Sequence, residues 1–214
     1  MIITPSYFTG PIAIANGQDV APNSELLGNG VKLQDFIDRY EREALISVLG
    51  YQLAEAFTSQ FTHDPNTNTW TFNGTKGDKW DELLNGKEYS VSGKDYRWRG
   101  LTYAVAKWGN GGSELESLLA YYVYCKFIED DYLNHTGTGF QREDAVNATG
   151  MGYSRNYARA FNAFVDGVEF NEGTERQVKP VSLYDFIQDM NSLDPTTYPD
   201  WEYQRFRYVN RFGL

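Results

Sequence analysis

The reactive side chains of this sequence are few, and their spacing limits what they can do. His63 stands in a His-Asp-Pro turn and His135 at the end of an expected helix. Neither has the HExxH pattern or the paired cysteines of a metal site. Glu129, Asp130 and Asp131 are consecutive, so on a helix they fan out and do not face one another as the carboxylates of a glycosidase do. Gly152-Tyr153-Ser154 lacks the second glycine of a nucleophile elbow, because Asn156 occupies that place. The glycine-rich residues 109–112 precede a helical pattern as a phosphate loop does. No Walker lysine follows them, and Glu114 and Glu116 would repel the anion. No catalytic residue, cofactor or metal site is expected: the chain reads as a scaffold or binding protein, not an enzyme.

The stretch around which such a scaffold would be organised is residues 113–136, SELESLLAYYVYCKFIEDDYLNHT. Ser113 and Glu116 have the spacing of a capping box, and no proline or glycine interrupts the run before Gly137. At 100° per residue, Leu115, Leu118, Leu119, Tyr122, Val123, Cys125 and Leu133 share one broad face, and Tyr121, Tyr124, Phe127 and Ile128 cover most of the other. A helix apolar nearly all round belongs in a core or against a neighbouring subunit. Leu118, Leu119, Tyr121, Tyr122, Tyr124, Phe127 and Ile128 are therefore the expected core or subunit contacts. Cys125, among them, is expected to be a buried small hydrophobe.

The other elements must position this helix. Residues 1–30 are punctuated by prolines and glycines and read as an extended arm with one or two short strands. A stripe of Leu33, Phe36, Ile37, Tyr40, Ala44, Val48 and Tyr51 predicts a first helix over 33–57, loosened at Gly50. Thr69-Trp70-Thr71-Phe72 before Asn73-Gly74 suggests a small hairpin within the polar excursion 60–77. A short helix over 78–85 closed by Gly86 leads into a hairpin turning at Ser92-Gly93. Residues 101–108 read as helical, as do 153–168 and a last helix capped by Ser182. The expectation is a mainly α fold: a small helical bundle around one long central helix, with a short β-hairpin and extended N- and C-terminal arms. It divides into the arm 1–30, a helical core 31–192 with hairpin insertions, and a tail 193–214.

That tail carries Trp201, Tyr203, Phe206, Tyr208 and Phe212 with Arg205, Arg207 and Arg211, the residue types that dominate binding hot spots. In an extended segment Trp201, Tyr203, Phe206 and Tyr208 can share one side, with Arg205 and Arg207 on the other. These eight residues are the candidate docking site, and their removal is expected to leave a folded body. A net charge of −10, from 19 basic and 29 acidic residues, argues against tight wrapping of nucleic acid. One cysteine excludes an internal disulfide framework. The opening MIITPSYFTG lacks a signal-peptide pattern and no stretch approaches a membrane span, so a soluble protein made in a cytoplasm is expected. Sixteen tyrosines and five tryptophans suit interfaces. They would also suit a carbohydrate-binding module, although such modules are strand-rich and secreted.

Several motifs together resemble the head–tail connector (adaptor) proteins of tailed bacteriophages, particularly those of Bacteroidetes phages and prophages. They are Trp80-x-x-Leu83-Leu84-x-Gly86-x-x-Tyr89, Gly93, Trp98-x-Gly100-Leu101, Leu118-Leu119-Ala120-Tyr121-Tyr122-x-Tyr124, Thr136-x-Thr138-Gly139, Tyr198-Pro199-x-Trp201 and Asn210-Arg211-Phe212-Gly213. The resemblance spans most of the chain beyond Trp80. It implies a virion protein assembled in the bacterial host cytoplasm, forming a homo-oligomeric ring, commonly twelvefold, at the neck. Its C-terminal segment would dock on the portal protein, its far face on a stopper, tail or further neck protein. Genomic DNA would pass through the channel without sequence-specific binding. No cofactor and no membrane partner is implied.

Overall fold

In the computed structural model, the described residues are 2–14, 29–65, 69–106, 112–132, 134–136, 139–141, 153–169 and 178–209. Over the described residues the fold is mixed α/β, about 52% helical and 19% strand, and not the mainly α bundle with one hairpin that the sequence suggests. Two 3-10 turns, Pro5–Tyr7 and Gly10–Ile12, precede α1 (Asn29–Leu49) and α2 (Tyr51–Thr58). A hairpin of β1 (Phe61–Asp64) and β2 (Thr69–Phe72) follows, then α3 (Lys79–Asn85), β3 (Lys87–Val91) and β4 (Lys94–Trp98). Next come the ribbon β5 (Thr102–Ala106) and β6 (Ser113–Ser117), then α4 (Leu118–Tyr132), and the short pair β7 (Asn134–Thr136) and β8 (Gly139–Gln141). The described elements end with α5 (Tyr153–Glu169), β9 (Lys179–Pro180) and α6 (Leu183–Leu193).

Two expected helices are corrected by one ribbon. Residues 113–117 do not open the central helix; they pair antiparallel with 102–106, where a helix is also expected. Ser-Glu-Leu-Glu-Ser sets Glu114 and Glu116 on one side of an extended chain and Leu115 on the other, so it is compatible with a strand as well as with a capping box. The β-prone Thr-Tyr-Ala-Val-Ala partner decides between them. Glu116 bonds across the ladder to its register partner Tyr103 instead of reaching back to Ser113. The cap of α4 falls to Ser117, whose hydroxyl accepts the Leu119 N–H at 3.1 Å. The single helix expected over 33–57 is likewise two: α1 stops at Gly50, whose φ of +78° lies in the left-handed region. The excursion hairpin is present, but Thr69–Phe72 pairs with the preceding Phe61–Asp64, so Asn73-Gly74 is not its turn.

The helical core is α4 packed between α1 and α5. Leu118, Leu119, Tyr122, Val123, Tyr124, Cys125 and Phe127 of α4 are buried; Tyr121 and Ile128 are half-buried. Burial pushes the Cys125 thiol up to about 12, so it stays protonated as a core hydrophobe.

A second packing centre joins α3 to β4 and α6. Asp78 caps α3 through the Trp80 and Asp81 N–H groups. At the other end, Trp98 Nε1 and the Leu101 N–H donate to Leu83 O, and the Thr102 hydroxyl donates to Leu84 O. These bonds satisfy carbonyls that a helix C-terminus otherwise leaves without partners. The Trp98 ring stacks on Phe186 of α6, their centroids 5.6 Å apart. The Leu83-Leu84-x-Gly86 and Trp98-x-Gly100-Leu101 motifs are thus two halves of one junction.

The N-terminal arm docks across α1 and the β5–β6 ribbon. Ile3, Phe8 and Ile12 are buried. The backbone N–H groups of Ile2 and Ile3 both donate to Glu41 Oε1 at 2.7 Å. Burial, with a smaller contribution from Asp38, pushes the Glu41 carboxyl up to about 7 despite these two donors. The folded-state pKa lies above that of an unfolded glutamate. The folded protein therefore holds the extra proton between about pH 4.5 and 7, and this group's contribution to stability is lost as pH rises through that window. Glu41→Gln keeps an oxygen acceptor for both N–H groups and removes the buried charge. Above pH 7 it should raise unfolding free energy by roughly 2–3 kcal/mol and flatten the pH dependence. Urea midpoints measured from pH 4.5 to 8 check this; a profile parallel to that of the native protein contradicts it.

Candidate functional site: the C-terminal strap

The expected docking residues of the tail are laid along the body of their own protomer. The strap begins at Tyr198, which is fully buried. Its hydroxyl donates to Lys79 O at 2.6 Å. Asn191 of α6 brackets its backbone, accepting from Tyr198 N at 2.9 Å and donating to Tyr198 O at 3.0 Å. Lys79 Nζ reaches Thr197 O and lies 4.8 Å above the Trp80 ring. Tyr198-Pro199-x-Trp201 is therefore a packing motif in this chain.

From there the chain runs extended over α1, α6 and α5. The Trp201 indole donates to Val48 O at 3.1 Å, a carbonyl left open because α1 ends one residue later. Glu202 then crosses Gly50 so closely that a Cβ there would lie 2.9 Å from the Glu202 carbonyl oxygen. The Tyr203 ring stacks on Trp201 and, with it, packs against Tyr184. The Tyr203 hydroxyl and the Phe206 N–H both donate to Glu169 Oε1. Burial, then the bond to Glu169, pushes the Tyr203 phenol well above its ordinary value. The Phe206 ring meets Phe164 edge-on at 5.1 Å. The Tyr208 hydroxyl donates to Asp166, and Asn162 pairs with the Val209 backbone in both directions.

The expected sidedness holds for Trp201, Tyr203 and Phe206 but not for Tyr208, and the surface those three rings face is the protomer's own. Trp201, Tyr203 and Phe206 are half-buried, while Arg205 and Arg207 point outward. Arg205 Nε lies 4.0 Å from Glu169 with its side chain 77% exposed. Tyr208 is 52% exposed despite its bond to Asp166. Arg211 and Phe212 lie outside the described residues. What the sequence reading missed is the bed of the strap: Asn162, Asp166 and Glu169 on α5, Tyr184 on α6, and Gly50. The signal was there in Asn162, Asp166 and Glu169, whose spacing of four and three makes a polar stripe beside the aromatic stripe of α5.

The outer edge of the strap, Glu202-x-Gln204-Arg205-x-Arg207, is an exposed polar ridge. Near its end, Trp98, Arg99, Tyr103, Leu118, Tyr121 and Asp166 border a cavity of about 210 Å³. Among the described residues no group of three or more His, Cys, Asp or Glu is placed to hold a metal ion. Among them, too, no helix is long and apolar enough to cross a membrane. The arrangement defines a small mixed α/β module closed by its own C-terminal strap. Comparison with protein-family models, with curated proteins and with solved structures finds no match to this chain.

Proposed function

We propose that the protein is a structural component of a tailed-phage neck, assembling as a ring between the portal and the next neck or tail component, with DNA passing through its centre. The observation that supports this reading is the strap. It is a preformed, extended segment whose aromatic edge is held by the body and whose arginine edge is presented outward. Ridges of this kind serve surface recognition, because Arg offers planar, bidentate bonding to carboxylates of a partner. Of the residues that carry the resemblance to connectors, Leu83, Leu84, Trp98, Leu101, Leu118, Leu119 and Tyr198 are buried. A sugar-binding role draws less support from the described tryptophans: Trp98 is buried, Trp80 and Trp201 are half-buried, and Trp70, 36% exposed, lies in β2 opposite His63.

The test is mass. Mixed with its cognate portal at micromolar concentration, the protein should enter a ring-bearing complex; twelve copies of 24.5 kDa would add about 290 kDa. Arg205→Glu with Arg207→Glu should weaken that binding at least tenfold while leaving the melting temperature within about 2 °C, as expected for exposed substitutions. A native protein that stays monomeric and unbound beside its portal rules the proposal out.

A further inference from the structure

We propose that the cavity between the N-terminal arm, α1, the end of α2 and the β1–β2 hairpin binds an alkylammonium group, carried by a free amine or by a lysine side chain of a partner. The site does not rest on the neck reading, and its test needs no portal.

The cavity has a volume of about 170 Å³. Asp38, Glu41, Arg42 and Leu45 border it from α1, where spacings of three and four set them on one face. Ile2 of the arm, Leu45, Phe61 of β1 and Trp70 of β2 supply apolar walls. Glu41 is only 5% exposed, whereas Asp38 is open to solvent. A stem of about four carbons, like that of lysine, suits such walls, and a cation at its tip meets the carboxylates.

The charge of the lining is unbalanced. Among the described residues bordering the cavity, Arg42 is the cation, and its guanidinium is taken by Glu55 at 2.7 Å. Both N–H groups of the arm end on Glu41 Oε1, leaving Oε2 as the acceptor for an occupant. The Thr58 hydroxyl donates to Ala54 O at 2.7 Å and keeps its lone pairs. Glu41, Asp38 and Thr58 are thus acceptors for the three N–H donors of a primary ammonium.

Other occupants fit worse. An anion would meet two carboxylates. A bare calcium or magnesium ion needs more oxygen ligands than this lining holds. A neutral apolar molecule would seal Glu41 in without a counter-charge.

The proton on Glu41 supports the reading. Burial holds its carboxyl at about 7, although the two arm N–H groups and the charge of the chain's N-terminus act to lower it. The other charged or titratable groups around the site are Asp38, which raises it, Arg42, bound to Glu55, and His63, 4.8 Å from the Trp70 ring. A cation entering the cavity displaces this proton, so binding strengthens as pH rises through about 7. An alkylammonium keeps its own charge over that range.

The probe is n-butylammonium, added to the full-length, isotope-labelled protein. The readout is the Trp70 indole N–H resonance, assigned with Trp70→Phe. A saturable shift is expected, with a Kd on the order of 1–10 mM for so small a ligand. At about pH 8, n-butanol should bind at least about tenfold more weakly. Affinity for the amine should fall about tenfold from pH 8 to pH 6, as Glu41 takes up its proton. Glu41→Gln, which should stabilise the fold, should weaken amine binding at least about tenfold and abolish the pH dependence. N-acetyl-lysine methylamide separates the two sources. Binding at least as tight as that of the amine assigns the site to a partner's lysine, and weaker binding assigns it to a free amine. Equal binding of amine and alcohol by the native protein overturns the proposal, as does a Trp70 signal unmoved at about 100 mM amine. A pH dependence that survives in Glu41→Gln belongs to another group and overturns it equally.

Discussion

Gly86→Ala, or Gly100→Ala, should remove a large part of the protein's stability at 25 °C. The φ angles of the two glycines are +92° and +100°, where an alanine pays about 1–2 kcal/mol in backbone strain. Space makes matters worse. A Cβ on Gly86 would lie 2.5 Å from Trp98 O and 2.6 Å from Arg99 O, and one on Gly100 would lie 2.5 Å from Leu84 O. These are backbone atoms of the junction between α3 and β4, and they cannot rotate away. Relieving the clash separates Leu83 O and Leu84 O from the three donors that satisfy them. The expected loss is at least about 4 kcal/mol, a large part of the 5–15 kcal/mol that holds most domains together. Gly93 supplies the control. Its φ is +76°, yet nothing lies within 4 Å of where its Cβ would stand. Gly93→Ala should therefore cost only about 1 kcal/mol. Circular dichroism and urea unfolding of the three variants separate strain from steric contact; equal losses at all three positions would show that the close approach is unimportant.

Trp201→Ala with Phe206→Ala should lower the stability of the isolated protomer by about 3 kcal/mol. Fully buried aromatics cost 3–5 kcal/mol each when truncated, and these two are half-buried. The change also abandons Val48 O, which Trp201 Nε1 caps, and the edge-on contact of Phe206 with Phe164. For a chain of this length the loss corresponds to a fall in melting temperature of about 6–12 °C. Because Tyr203 packs against both rings, the two substitutions should not add independently. An unchanged melting temperature would mean that the strap is not held on its own body. The same pair of measurements separates the two roles of the tail. On the proposed reading the inward aromatics should set stability, and the outward Arg205 and Arg207 should set partner binding.

Local sequence determined the elements whose signals had no competitor. Asp78 before α3 and Ser182 before α6 supply side-chain caps that depend only on residues two or three positions away. Ser92-Gly93, with φ of 52° and 76°, turns β3 into β4; Gly93 takes the left-handed region freely, and the two-residue loop holds Ser92 there with it. The aromatic stripe of α5 and the apolar face of α4 from Leu118 onward were legible for the same reason. So was the alternation of Trp201, Tyr203 and Phe206 with Arg205 and Arg207, since side chains of an extended chain point alternately to either side.

Tertiary structure decided everything that needed a distant partner. Residues 113–117 satisfy both a capping box and a strand, and only pairing with Thr102–Ala106 makes them a strand. The opposite happened at Gly50, which an isolated helix tolerates at about 1 kcal/mol. There the crossing of Glu202, some 150 positions along the chain, needs the space that a Cβ would fill, and α1 ends. Glu41 carries no local sign of burial; it lies on a helix face with charged neighbours and becomes an anchor only when Ile2 and Ile3 arrive. The tail shows the limit most plainly. Sequence set which edge is aromatic and which is basic, because that follows from chain geometry. It did not set what the aromatic edge rests on, because any apolar groove with matching acceptors serves, and the protomer supplies one in Val48, Asn162, Tyr184 and Glu169.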